Sequence, residues 1–213
     1  MLVLGITDIH GGGVALPDIP GLDLVLIAGD ITHFGDRKEA ELVLNRLGLP
    51  DVPVLAVPGN CDGGGVSSFL EEMDLSIDGK IKELYGLPFY GVGGALAGPA
   101  STPRELAEED FKRNFNVLED SKDLSGGVLV CHQPPHGTKL DKALGFRHVG
   151  SRSVRAFIEK HSPALCLTGH IHESNGIDRL GQTVIVNPGP FRHGHFVLCR
   201  LENNSVSCTL ERV

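Results

Sequence analysis

The most informative residues of this sequence are carboxylate, amide and imidazole side chains that each follow a short apolar run. They fall in five places along the chain: Asp8-x-His10, Gly29-Asp30, Gly59-Asn60, His132 and Gly169-His170-x-His172. Oxygen and imidazole ligands favour hard or borderline divalent ions over the soft metals that thiolate clusters select. These side chains therefore indicate a site for divalent metal ions, with Mn²⁺ as the first expectation and Fe²⁺, Zn²⁺ or Ni²⁺ as alternatives.

The apolar runs before these side chains predict how the ligands come together. The runs are rich in Val, Ile and Leu and read as buried strands at residues 2–6, 24–27, 54–57, 128–130 and 165–167. In open α/β sheets, ligands bind outside the carboxyl ends of the strands. A single His or Gly-Asp after a strand is more often a surface or turn residue, so the prediction depends on the whole set.

The remaining elements are predicted from capping and turn signals. Asp36 and Glu39 have capping-box spacing, and Thr102 and Glu105 predict a second helix with Thr102 as N-cap. The helices are expected at residues 36–47, 66–73, from 102 onward and at 151–161. The hairpins are expected at residues 80–92 around Tyr85-Gly86, at 177–186 around Leu180-Gly181, and at 196–210 around Asn203-Asn204. We expect one domain, residues 1–213, of mixed α/β structure.

Composition limits the partners. The net charge of −8 and the absence of a basic run disfavour binding to nucleic acid, and the absence of Trp disfavours a base-stacking platform. The five cysteines form no CxxC motif and indicate a reduced, cytoplasmic protein. No apolar run is long enough to span a membrane. We therefore expect a small-molecule substrate and no membrane partner, and leave homo-oligomer formation open.

Taken together, the motifs resemble a known family. Asp8-x-His10, Gly29-Asp30, Gly59-Asn60-Cys61-Asp62, His132 and Gly169-His170-x-His172 are similar, in order, to the five motifs of the calcineurin-like metallophosphoesterase superfamily. The resemblance implies an αββα four-layer sandwich of two mixed β-sheets flanked by helices. It also implies that one metal is bound by Asp8, His10 and His172, the other by Asn60, His132 and His170, with Asp30 bridging the two.

One position departs from the best-known family pattern. Many members have His after the Asn, where it serves as general acid, whereas this chain has Cys61 and so resembles a small prokaryotic branch of phosphodiesterases. A thiol, with a pKa near ~8.5, is a weaker candidate than imidazole near ~6.5. His33, three residues after Asp30, is a candidate to replace it, with a turn-capping role as the equal alternative.

The predicted function is hydrolysis of a phosphate ester. Two metals about 3.5–4 Å apart would clamp the substrate and acidify a bridging water to hydroxide. We expect Asp30, Asn60, His33 and Cys61 to serve catalysis. Two divalent ions, two aspartates and a hydroxide leave a residual charge of about +1, which favours a singly charged diester over a dianionic monoester. A non-catalytic metal-binding scaffold and a metal-dependent nuclease remain as alternatives.

Two further segments carry weaker signals. Residues 136–150 form a long loop with Lys139, Lys142, Arg147 and His148, which predicts a substrate lid or a solvated surface loop. His193-x-His195 repeats the ligand spacing, although the predicted ligand set is complete without it.

Overall fold

The computed structural model describes residues 1–12, 14–119, 123–202 and 205–213. The α-helices are α1 (Arg37–Leu47), α2 (Gly64–Glu72), α3 (Glu108–Glu119) and α4 (Arg152–His161). The strands are β1 (Leu2–Ile6), β2 (Leu24–Ala28), β3 (Val54–Val57), β4 (Ile81–Leu84), β5 (Leu87–Val92), β6 (Ala95–Leu96), β7 (Glu105–Leu106), β8 (Val128–Cys131), β9 (Lys142–Ala143), β10 (Arg147–His148), β11 (Leu165–Leu167), β12 (Gly176–Leu180), β13 (Thr183–Asn187), β14 (His195–Glu202) and β15 (Ser205–Arg212).

Two large mixed sheets form the centre of the fold. The first has the order β15-β14-β1-β2-β3, in which β1, β2 and β3 are parallel, β14 is antiparallel to β1, and β15 is antiparallel to β14. The second has the order β12-β13-β11-β8-β5-β4, with its four central strands parallel and both edge strands antiparallel. The parallel strands of each sheet therefore end at one edge, where the predicted ligands follow.

Alternating side chains of the strands build three apolar layers. Val3, Leu26 and Val57 of the first sheet pack against Val130 and Leu167 of the second. The opposite face of the first sheet packs on α1 and α2, and that of the second packs on α3 and α4. Because both faces of the central strands are buried, their sequences are continuously apolar. The predicted αββα sandwich of two mixed sheets is confirmed.

The predicted start of a helix at Thr102 was wrong, because α3 begins at Glu108. The local signal is real: the Thr102 backbone N–H donates to Glu105 Oε1 at 3.1 Å. However, the backbone after Thr102 forms its hydrogen bonds with other segments. The Arg104 N–H donates to the Asn60 carbonyl, and the Ala95 N–H donates to the Arg104 carbonyl. These long-range bonds keep residues 105–106 extended as β7. The helix therefore begins only after β7, because tertiary contacts override the local signal.

Two smaller predictions were also corrected. Asp36 does cap α1, accepting from the Lys38 N–H at 3.0 Å, but Glu39 lies near the His33 N–H instead of completing a capping box. Leu180 pairs with Thr183, so the turn of the second hairpin is Gly181-Gln182. The predicted turn at Asn203-Asn204 falls outside the described residues.

Across the described residues, no helix is both long enough and apolar enough to cross a membrane.

Candidate metal centre

The predicted ligands gather where the parallel strands of both sheets end. Asp8 and His10 follow β1, Asp30 follows β2, and Asn60 follows β3. From the second sheet, His132 directly follows β8, and His170 and His172 follow β11. Two sheets thus contribute to one site.

Three side chains form the first cluster. His172 Nε2 lies 3.0 Å from Asp8 Oδ1 and 3.1 Å from His10 Nε2. His10 Nε2 lies 3.7 Å from the same Asp8 oxygen. Two imidazole nitrogens this close, beside a buried carboxylate, need a proton or a cation between them. The cluster therefore has the donor atoms and the spacing of a metal site.

A second cluster lies beside the first, and Asp30 joins them. His132 Nε2 is 3.0 Å from Asn60 Oδ1. Asp30 Oδ2 is 3.5 Å from His132 Nε2 and 3.6 Å from His10 Nε2. One carboxylate oxygen thus faces an imidazole of each cluster, which is the position that a bridging ligand requires.

His170 is less directly placed than the other six. Its ring packs edge-on against His132, with 5.2 Å between the ring centroids. Its backbone N–H donates to Asp8 Oδ2 at 3.1 Å. Burial and the neighbouring His132 lower the pKa of its imidazole to about 4. The neutral ring retains a free nitrogen for a ligand role at the second cluster.

The orientation of His132 is fixed by the backbone. Its Nδ1 lies 2.6 Å from the carbonyl oxygen of Ala28, which is the last residue of β2. When Nδ1–H donates to that carbonyl, the Nε2 lone pair is directed at Asn60 and Asp30. Such a bond to the second ring nitrogen is typical of metal-binding histidines.

Backbone strain is concentrated in the ligand set. Asp8, His10, Asp30 and His170 have φ values of 54°, 49°, 52° and 68°, in the left-handed region. Each such residue costs on the order of 1 kcal/mol or more, and persists only where the surroundings hold it. The Asp30 carbonyl provides part of this hold, since it accepts from the N–H groups of Ile9 and His10 at 2.8 Å.

Glycines allow the ligand loops to approach one another closely. A Cβ on Gly59 would lie 2.0 Å from Asp30 Oδ1, and one on Gly169 would lie 1.9 Å from Thr7 Oγ1. Both distances are far shorter than any side chain tolerates. The Gly-Asn and Gly-His motifs therefore need glycine because no Cβ fits at these positions.

Asp62 is a positioning residue for which the sequence assigned no role. Its buried carboxylate accepts from the N–H groups of Ile31, Thr32 and Gly59 at 3.1, 2.8 and 2.8 Å, and from the Thr32 hydroxyl. It thereby joins the loop of Asp30 to the loop of Asn60. The only sequence signal was a carboxylate two residues after the Asn.

Arg192 is a second residue that the sequence missed. Its guanidinium Nη2 lies 3.4 Å from His172 Nδ1, and its backbone N–H donates to the Asp8 carbonyl. In the predicted His193-x-His195 pair, His193 is exposed and His195 begins β14. The cation of this segment, rather than its histidines, therefore reaches the ligand cluster.

His33 and Cys61 lie together at one side of the first cluster. Ligand atoms of His10, His33 and Cys61 lie within 4.8 Å of one another. Burial and the nearby Asp30 raise the pKa of the Cys61 thiol strongly. The Cys61 backbone N–H donates to Asp30 Oδ1 at 2.7 Å. Cys61 thus supports Asp30 through its main chain, and its thiol is a poor proton donor.

The charges of the site favour bound cations. Burial alone would raise the pKa of Asp8 and of Asp30. Hydrogen bonds from His10 and His172 nevertheless lower the pKa of Asp8, and the charge and hydrogen bond of His132 lower that of Asp30. Burial would lower the pKa of His132, but Asp30 and Asp8 raise it to about 9. Within the described chain, the buried His10 Nδ1 has no hydrogen-bond partner. Oxygen and imidazole donors around buried anionic groups fit divalent metals.

Comparison with known sequences identifies the family. A family model described as metallophosphoesterase, calcineurin superfamily, matches residues 32–210. An uncharacterised protein of Methanocaldococcus jannaschii is 40% identical over 201 residues, covering 89% of this chain and 88% of the relative. A probable glycerophosphodiester phosphodiesterase of Arcobacter nitrofigilis is 27% identical over 169 residues, covering 72% of this chain and 58% of that protein.

Solved structures share the fold. The protein TT1561 of Thermus thermophilus superposes with a TM-score of 0.72 at 18% identity, covering 98% of this chain and 97% of that one. A putative 5'-nucleotidase of Staphylococcus aureus superposes with a TM-score of 0.61 at 16% identity, and all of this chain matches 54% of that one. At these identities the likeness shows the architecture alone.

Replacing Asp62 by Asn tests its positioning role. The amide group would turn an N–H donor toward backbone N–H groups, so the loops of Asp30 and Asn60 should separate. We expect Mn²⁺ affinity to fall about 10–100-fold, the usual effect of losing a residue that orients ligands. Titration calorimetry measures this, with the exposed Asp51→Asn as control. An unchanged Mn²⁺ affinity in Asp62→Asn would show that Asp62 does not position the metal ligands.

The raised pKa of His132 predicts a pH dependence of metal binding. Metal must displace the His132 proton, so below pH 9 this one proton should lower Mn²⁺ affinity about tenfold per pH unit. The stability of the metal-free protein should depend on pH in the opposite direction to its metal affinity. A folded-state pKa of about 9 against an unfolded value near ~6.5 stabilises the fold at low pH. That stability should be lost as pH rises from 6.5 to 9.

Two measurements check both signs. Thermal unfolding after treatment with chelator should show Tm falling between pH 6.5 and 9, and calorimetry should show Mn²⁺ affinity rising. His132→Gln should flatten both slopes. A Mn²⁺ affinity that is independent of pH over this range would contradict the assignment of His132 as a proton-coupled ligand.

Proposed function

The chain belongs to the metallophosphoesterases of the calcineurin superfamily, enzymes that hydrolyse phosphate esters with divalent metal ions, and we propose that its substrates are phosphodiesters. Asp8, His10 and His172 would bind one ion, Asn60, His132 and His170 the other, and Asp30 both. Two ions bound there would supply Lewis acidity and an acidified water. The observation that carries the proposal is the position of Asp30 Oδ2, 3.6 Å from His10 Nε2 and 3.5 Å from His132 Nε2.

The preference for diesters rests on charge. The ligand set contains the carboxylates of Asp8 and Asp30, both buried and held ionised by their histidine neighbours. Two divalent ions would leave a net charge of only about +1 once the nucleophile is counted. A diester carries one negative charge and matches this, whereas a monoester dianion exceeds it.

Residues around the ligands have separate roles in this proposal. The guanidinium of Arg192 lies beside His172 but is exposed, so solvent screens its charge, and it would attract the anionic substrate without entering the charge balance of the ions and their ligands. Asn60 contributes its amide oxygen, which is already directed at His132 Nε2 at 3.0 Å. Hydrogen bonds of the Asp62 carboxylate and the Cys61 N–H hold the loop of Asp30 against the loop of Asn60.

The proton for the leaving group comes, in this proposal, from His33. Its imidazole is exposed and lies beside His10, with 5.5 Å between the ring centroids. The buried Cys61 thiol, whose pKa is strongly raised, is an unfavourable acid. His33 thus occupies the side of the site where Cys61 replaces the histidine of other family members.

The similarity to a probable glycerophosphodiester phosphodiesterase of Arcobacter nitrofigilis, at 27% identity, agrees with a diesterase. A non-catalytic scaffold is not favoured, because the described residues include all seven candidate ligands. A nuclease is not favoured either, because the chain has a net charge of −8.

The first test compares substrates with one leaving group. We expect a higher kcat/KM for bis-4-nitrophenyl phosphate than for 4-nitrophenyl phosphate, because the site balances one negative charge better than two. The metal-stripped protein should be assayed with Mn²⁺, Ni²⁺, Zn²⁺ and Mg²⁺ in turn. A clear monoester preference would overturn the diester proposal while leaving a phosphoesterase.

Asp30→Asn serves as the matched inactive variant. Loss of the shared carboxylate should lower activity on both substrates by orders of magnitude and reduce metal content, while circular dichroism shows the fold retained. Elemental analysis of the wild type should give two Mn²⁺ per chain. A content of one ion or fewer at saturating Mn²⁺ would contradict the dinuclear centre.

A second test concerns His33. General acid catalysis typically contributes about 10²–10⁴-fold, and it matters most for poor leaving groups. His33→Ala should therefore slow alkyl diesters much more than nitrophenyl diesters. Cys61→His should partly restore the alkyl rate in that variant.

The exposed His193→Ala is the control and should affect neither substrate class. Equal losses on alkyl and nitrophenyl diesters in His33→Ala would exclude His33 as the acid and leave solvent water as the proton source.

A further inference from the structure

A cavity of about 580 Å³ opens directly beside the second ligand cluster. Asn60 and His170 form part of its wall, so the cavity is continuous with the proposed metal centre. Its volume lies within the range of about 300–1,000 Å³ that small-molecule sites occupy. A substrate with its phosphate at the metals would therefore have room for one ester group here.

The walls of this cavity are mainly apolar. The segment 96–100 forms one side, with sequence Leu-Ala-Gly-Pro-Ala. Ala143, Leu144 and Val149 form another, and Ile171 lies between the ligands His170 and His172. The charged lining residues are Glu105, Arg147 and Glu173, of which the last two are exposed. An apolar group would be desolvated here with few polar groups left unpaired.

Hydrogen bonds support the loop at residues 136–150, for which the sequence predicts a substrate lid or a solvated surface loop. The buried Asp141 carboxylate accepts from the N–H groups of Gly137, Thr138 and Gly150 at 2.9, 3.0 and 3.1 Å. At the tip, the Leu144 N–H donates to Glu173 Oε1 at 3.1 Å. The apolar side of the cavity is therefore held in place by internal hydrogen bonds.

Leu144 is the most unusual residue of this wall. Its side chain is 77% exposed, and its φ of 53° is unfavourable for Leu. Phe146, on the same hairpin tip, is 76% exposed. Large apolar side chains exposed beside a cavity indicate a surface that contacts an apolar ligand.

The position of the cavity identifies which ester group it would hold. Its wall includes Asn60 and His170 of the second cluster, whereas His33, Cys61 and His10 are not among its described lining residues. The proposed acid, His33, marks the side from which the leaving group departs. The cavity therefore lies on the side of the group that stays on phosphorus.

We propose that this cavity binds the apolar, retained ester group of the substrate, so that the preferred substrates are phosphodiesters with an alkyl or aryl arm. The inference rests on the phosphodiesterase function proposed above. Nucleotide arms fit less well, because the described lining includes no Phe, Tyr or Trp on which a base could stack.

The test is a series of diesters that differ only in the retained arm. Methyl, butyl and octyl 4-nitrophenyl phosphate share one leaving group and one charge. Each buried methylene contributes up to ~0.8 kcal/mol, which corresponds to a rise of about fourfold in kcat/KM. We expect butyl to exceed methyl by at least about tenfold, and octyl to exceed butyl until the cavity is filled.

Leu144→Asp tests the wall without threatening the fold. Asp tolerates a positive φ better than Leu, and the position is exposed. The octyl-to-methyl ratio of kcat/KM should fall at least about tenfold, since a charge replaces an apolar contact. Tyr85→Asp is the matched control, because Tyr85 has a φ of 54°, is 58% exposed and precedes a glycine in another hairpin turn.

The outcomes separate the two proposals. Hydrolysis of the methyl diester with no gain from a longer arm would overturn the apolar pocket and leave the phosphodiesterase intact. An equal fall of the ratio in Leu144→Asp and Tyr85→Asp would also overturn the pocket. No hydrolysis of any diester with any of the four metals would overturn both proposals together.

Discussion

The geometry of the whole centre depends on one residue, Asp30, through three separate groups. Its Oδ2 faces imidazoles of both ligand clusters, and its Oδ1 accepts the Cys61 N–H. Its carbonyl accepts the N–H groups that follow β1, including that of His10. One residue after β2 therefore fixes loops from three parallel strands. The carboxyl edge of a parallel sheet allows such convergence, because the loops after neighbouring strands meet there.

This arrangement costs free energy that the sandwich must supply. The strained backbone at Asp8, Asp30 and His170 and the close approach at Gly59 are each unfavourable in an isolated loop. The three apolar layers on either side of the sheets hold the strand ends rigidly, and Asp62 adds a buried set of hydrogen bonds between loops. These contacts within the protein support the ligand loops, which reduces the reorganisation that metal binding requires.

The sequence predicted the parts of this structure that depend on short-range pattern. Continuous apolar runs identify strands buried on both faces, and the polar residue after each run identifies the edge of the sheets where the candidate ligands meet. The start of α3 was mispredicted because the Thr102–Glu105 signal is local, whereas the bonds that override it join Arg104 to Asn60 and Ala95. Arg192 was missed for a related reason: its position beside His172 follows from how β14 pairs with β1, which no spacing in the sequence encodes.

The two sides of the centre differ in a way that bears on substrate choice. The first cluster has polar neighbours, with His33 near His10 and the Arg192 guanidinium near His172. The second cluster opens through Asn60 onto an apolar wall. A substrate that is charged at phosphorus and apolar on one arm can contact both sides favourably. A uniformly polar substrate would leave the apolar wall exposed to water. Differences of this kind can separate members of a family that share one metal centre, because every phosphodiester presents the same singly charged phosphoryl group to the metals and only its ester arms vary.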